Sequence, residues 1–106
     1  DLDGTLAEYD YWRGPEHIGA PIDAMVERVK RMLAAGKDVR IFTARVCPGQ
    51  PEGDALKATL AINDWCRAYI GRTLPVTATK DWMMGVLYDD RAVCVESNTG
   101  RLLSPE

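Results

Sequence analysis

Twice along this chain a helical stripe closed by glycine is followed, within a few residues, by a short β-rich run. Residues 21–35 place Ile22, Met25, Val26, Val29, Met32 and Leu33 at three- and four-residue steps, leaving Glu27, Arg28, Lys30 and Arg31 for the solvent side. Pro21 suits a first helical turn and Gly36 a C-cap. The run Val39-Arg40-Ile41-Phe42-Thr43 then reads as a strand. Residues 54–70 repeat the pattern, with Asp54 as N-cap, an inward stripe of Ala55, Ala58, Ile62, Trp65, Cys66, Tyr69 and Ile70, and Gly71 as the stop. Leu74-Pro75-Val76-Thr77-Ala78 follows as another strand. Strands separated by helices return in parallel rather than as hairpins, so the fold class is α/β with a parallel sheet flanked by helices.

The chemistry sits where such strands end. Asp1-Leu2-Asp3-Gly4-Thr5-Leu6-Ala7 carries two carboxylates one residue apart, which share a face if the backbone is extended, before Gly4 and Thr5 let the chain turn. Thr43-Ala44-Arg45 closes the strand at 39–43. Lys80 follows the strand at 74–78, and the apolar run Gly85-Val86-Leu87-Tyr88 ends in Asp89-Asp90. Open α/β sheets build their sites at these carboxyl ends. Adjacent residues of a strand face opposite ways, so Asp89 and Asp90 can serve one ion only if the strand breaks there.

This order of motifs resembles the haloacid dehalogenase (HAD) superfamily: Asp-x-Asp-x-Thr at Asp1 to Thr5, then the hydroxyl of Thr43, the amine of Lys80 and the pair Asp89-Asp90. The resemblance spans nearly the whole chain and implies a three-layer, Rossmann-type HAD-like domain over residues 1–106. It implies that Asp1 is a nucleophile forming an aspartyl-phosphate and that Asp3 is the general acid and base. Lys80 would neutralise charge, while Thr43 and the Ala44 N–H would hold phosphoryl oxygens. The planar fork of Arg45 suits phosphate, and Thr43-x-Arg45 with Asp89-Asp90-Arg91 is similar to the 3′-phosphatase domain of phage polynucleotide kinases. That likeness leans toward nucleotide or polynucleotide-end phosphates.

Four carboxylates in one pocket, joined by a phosphate, require a cation. Oxygen-only ligands, with one histidine in the chain and no Cys-x-x-Cys spacing, select Mg²⁺. Its ligands would be the carboxylates of Asp1 and Asp90 and the backbone carbonyl of Asp3, with Asp89 orienting Lys80 or a water, or exchanging roles with Asp90. Two other readings remain: a non-catalytic HAD-like domain binding phosphate or a partner, and a phospho-receiver domain, in which the acidic pair would precede the hydroxyl and lysine.

The remaining expectations are plainer. Residues 7–21, with Tyr9, Tyr11, Trp12 and His17, lack periodicity and read as a flap in place of a large cap domain. The motif at Asp1 implies roughly five apolar residues upstream, forming a first strand. Residues 92–96 and 101–103 flank the turn Ser97-Asn98-Thr99-Gly100 as a hairpin closing the sheet edge. Cys66 and Cys94 are core candidates, whereas Cys47 lies in a loop. A net charge of −3 offers no basic face for broad nucleic-acid binding. No run approaches the ~20 apolar residues of a membrane span, so a cytoplasmic protein acting on a phosphorylated small molecule or nucleic-acid end, with no membrane or obligate protein partner, is expected.

Overall fold

The computed structural model describes residues 1–103. Helix α1 (Asp23–Ala34), strand β1 (Ile41–Phe42), helix α2 (Asp54–Tyr69) and strand β2 (Val76–Thr77) follow in that order, with a 3-10 turn at Ala44–Val46. The two strands pair in parallel, Ile41 opposite Val76 and Phe42 opposite Thr77. Bonds from Ile41 N to Pro75 O and Thr43 N to Thr77 O (both 2.8 Å) extend the contact at each end. The chain is thus a small α/β domain whose parallel pair is bridged by α2, as the alternation of helical and β-rich segments requires.

Helix α1 buries Val26 and Val29, with Met25, Met32 and Leu33 packed beside them. It starts later than its pattern suggests: Ile22 is the N-cap and Pro21 bridges to Ala7. Its far end is a Schellman motif, with Gly36 at φ +78 donating to Leu33 O (2.9 Å) and Lys37 N donating to Met32 O (3.0 Å). Helix α2 buries Ala58, Ile62, Trp65 and Cys66. Gly53, not Asp54, is its N-cap, because a positive φ there brings Asp54 N to Pro51 O (3.1 Å). Asp54 instead lies in the first turn, where its charge suits the helix dipole.

One core gathers Leu2, Leu6 and Ala7 with α1, Ile41, α2, Ile70 and Leu74. Burial pushes the Cys66 thiol up to about 11, so it stays protonated and inert at neutral pH. Tyr69, expected inward, is 44% exposed: Ile70 takes the core position and Tyr69 stacks edge-on against Trp65, centroids 5.0 Å apart.

Among the described residues after Leu74, half-buried Val76 alone packs against this core. The expected strand at 85–90 is not formed; Val86 is 73% exposed, and an apolar groove of about 310 Å³, floored by Met25, Val29 and Ile41, is lined by β1 on one side and residues 85–88 on the other. The groove keeps that run apart from β1, whose one ladder is with β2, so residues 85–88 join no sheet. The hairpin does form, through the Val95–Leu102 bridge, with Glu96 N to Arg101 O at 2.7 Å, Asn98 at φ +69 and Gly100 at φ +81. It does not close the sheet, which has two strands, and this leaves Cys94 exposed rather than in the core.

The flap is an ordered loop closed at its base. Glu8 N donates to Ala20 O (2.8 Å), Ile22 N to Leu6 O (2.9 Å), and the indole of Trp65 to Gly19 O (2.9 Å). A Cβ on Gly19 would sit 2.0 Å from the carbonyl oxygen of Glu8, a backbone atom that cannot swing aside. Gly19→Ala is therefore expected to cost about 2 kcal/mol or more, read as a lowered urea midpoint by tryptophan fluorescence. Val86→Ser, on the exposed run, should stay within about 0.5 kcal/mol of wild type. Equal midpoints for Gly19→Ala and wild type would contradict the close approach.

Candidate functional site

The site begins with a tight turn over residues 2–7. Leu2 O accepts from Leu6 N (3.0 Å) and Ala7 N (2.9 Å), and Gly4 N donates to Ala7 O (2.8 Å). Gly4 takes φ +87, open to glycine and strained for other residues. Its missing side chain also leaves room for Asp90, whose Oδ2 would lie 2.6 Å from a Cβ there. Leu2 and Leu6 are buried, so the apolar residues anchor the turn while Asp1 and Asp3 are left at its rim.

Asp89 and Asp90 reach the same rim from the other end of the chain. Thr5 Oγ1 donates to Asp90 Oδ1 (2.9 Å) and accepts from Asp90 N (3.0 Å), while the Asp1 amino group donates to Tyr88 O (2.7 Å). One carboxylate oxygen each from Asp1, Asp89 and Asp90 lies within 4.8 Å of the others. Because residues 85–90 are not strand, the two adjacent aspartates are free to point into one place. Among the described residues none of the three forms an ion pair with a lysine or arginine side chain. Three carboxylates this close, with no lysine or arginine side chain paired to them, repel one another, and an all-oxygen set of this kind suits a hard divalent cation.

An open pocket of about 720 Å³ faces the cluster and is lined by Asp1, Asp3, Thr43, Ala44, Arg45, Asp89, Asp90 and Arg91, with Tyr9 and Trp12 of the flap. Thr43 is buried at the end of β1 and its hydroxyl accepts from Arg45 N (3.2 Å), capping the 3-10 turn. Its own O–H remains able to donate. The N–H of Ala44 is engaged by no backbone carbonyl or side chain among the described residues and is a second donor at the same edge.

Two expected members stand differently. Arg45 is buried and bound in both directions: its fork grips Asp3, Nε to Oδ2 at 2.8 Å and Nη2 to Oδ1 at 2.9 Å, and Nη1 reaches the flap carbonyls. Lys80 is exposed, does not line the pocket and forms no ion pair among the described residues, while its neighbour Asp81 pairs with Arg40 (3.1 Å). The structure thus brings Asp1, Asp3, Thr43, Ala44, Arg45, Asp89 and Asp90 together and leaves Lys80 outside. From the sequence Thr5 was expected only to help the chain turn and Arg91 only to complete the run Asp89-Asp90-Arg91; Thr5 is the last letter of the Asp-x-Asp-x-Thr motif, so its signal was present.

Compared with known protein families, curated proteins and solved structures, the chain matches none.

The cluster is expected to take up one divalent cation per chain. Thr5→Val removes the hydroxyl that orients Asp90 and should weaken Mg²⁺ binding about tenfold, the lower end of losses for such outer partners. Calorimetric titration with Mg²⁺ measures this, and an unchanged affinity would show that Thr5 does not set the cluster.

Proposed function

We propose that this chain is a Mg²⁺-dependent phosphomonoester hydrolase of the HAD type, on a HAD-like three-layer fold. What carries the reading is that Asp1 and the Asp89-Asp90 pair, at opposite ends of the sequence, converge within 4.8 Å on a pocket that also holds Asp3 and Thr43.

In this reading an Asp1 carboxylate oxygen attacks phosphorus, forming the Oδ–P bond as the P–O ester bond breaks. Asp3, in its protonated form, gives that proton to the departing alkoxide and is left as the carboxylate that Arg45 grips. Water then loses a proton to Asp3, its oxygen bonds phosphorus, and the Asp1 Oδ–P bond breaks to release inorganic phosphate. Thr43 O–H and Ala44 N–H donate to the phosphoryl oxygens, where charge is spread in the transition state. Asp1, Asp89 and Asp90, with the Asp3 carbonyl, would hold Mg²⁺, which would supply the positive charge that the carboxylates and phosphate require. The role expected of Lys80 falls to this ion and to Arg91 at the pocket wall.

The pocket is open, and the flap over residues 8–20 is too small to enclose a substrate as a cap domain would, which favours a phosphorylated small molecule or a nucleic-acid end. A second reading, a HAD-like domain that binds phosphate without turnover, is favoured by the position of Lys80 outside the pocket.

Asp1→Asn should lower Mg²⁺-dependent p-nitrophenyl phosphate hydrolysis by about 10⁴-fold or more while far-UV circular dichroism is unchanged. Full activity in that variant would remove Asp1 as nucleophile. Phosphate binding by a wild type with no turnover would favour the second reading.

A further inference from the structure

A guanidinium carries five N–H donors, and in Arg45 at least four contacts use them. Two go to Asp3, and Nη1 lies 3.4 Å from Gly14 O and 3.2 Å from Pro15 O. The group is 5% exposed and its Cζ lies 4.9 Å over the Trp12 ring. A fork so occupied has no pair of donors left for a phosphoryl group. The same side chain joins one carboxylate of the site to three residues of the flap. Its backbone is fixed as well, within the 3-10 turn that Thr43 caps.

We propose that Arg45 is a positioning residue rather than a phosphate ligand: it fixes the plane of the Asp3 carboxylate for the water step and, through the same guanidinium, holds the flap down beside it. The catalytic half rests on the hydrolase reading above; the flap half does not. A bidentate fork uses one lone-pair direction on each carboxylate oxygen and leaves the others free to accept a proton from water. In that step the water O–H bond breaks, its proton goes to Asp3, the oxygen bonds phosphorus, and the Oδ–P bond to Asp1 breaks.

The leaving group separates the possible roles. p-Nitrophenolate departs as an anion and needs no proton, so with p-nitrophenyl phosphate only the water step calls on Asp3. Arg45→Ala should therefore still form the phosphoenzyme and then stall. A stopped-flow burst of p-nitrophenolate approaching one equivalent per chain should precede a steady rate about 100-fold below wild type, with the inhibition constant of inorganic phosphate little changed. Arg45→Lys keeps the charge but not the fork, and should show the same burst.

If Arg45 instead grips the substrate, KM and the phosphate inhibition constant rise together without a burst. If it is only structural, burst and steady rate fall in step with the folded fraction seen by circular dichroism. Either result overturns the catalytic half. A wild type that turns over neither p-nitrophenyl phosphate nor ribose 5-phosphate overturns the hydrolase reading, and the catalytic half with it.

The flap half is read without turnover. Trypsin cleavage after Arg13 should quicken about tenfold in Arg45→Ala, because lost charged hydrogen bonds raise the open population that the protease samples. An unchanged cleavage rate in a folded Arg45→Ala chain overturns it.

Discussion

Thr5 and Asp90 exchange two hydrogen bonds across 85 residues of sequence, and the arrangement of the site follows from that exchange. A hydroxyl is small, donates once and accepts as well, so it can satisfy both the carboxylate and the backbone N–H of one residue. The exchange needs Gly4 beside it, because any Cβ there would meet the Asp90 carboxylate. Leu2 and Leu6, buried on either side, hold the turn against the core. Two ends of a chain are thereby set at one rim by a few hydrogen bonds, which hold mutually repelling acids together.

The second anchor is ionic. Asp3, a single residue from the buried Leu2, is neutralised by a buried guanidinium, and breaking one partner of such a pair leaves an uncompensated charge. The four carboxylates of the rim thus divide into one that is paired within the protein and three that are not. In the proposed reaction that division separates the group that would handle protons from the groups that would hold a cation.

Much of this was legible in the sequence. The 3.6-residue stripes of α1 and α2 and their glycine stops gave helices within two residues of those observed, since burial of one face decides such segments. The parallel pairing of β1 with β2 followed from the helix between them. The spaced acids named the residues that gather at the rim. What periodicity could not supply was the fate of residues 85–90: an apolar run reads as a strand, yet a strand exists only when a neighbour's edge accepts its hydrogen bonds. The position of Lys80 suffered for the same reason, since it hangs between β2 and that unpaired run. Arg45 was recognised as chemically special, but only coordinates reveal that Asp3 and the flap had already claimed its donors. Gly19 gave no signal at all, because a close approach between two backbones leaves no periodic trace.

Among the described residues the last buried apolar side chain of the core is Leu74, and Asp89 and Asp90 lie beyond it, where no described side chain is fully buried. One half of the rim therefore inherits the cooperativity of the whole domain, and the other can detach at far lower free energy. By linkage, whatever binds across both halves draws the loose one onto the rigid one and makes its order depend on ligand concentration. Seen this way the pocket is half scaffold and half equilibrium, and its occupancy and its local folding are a single quantity.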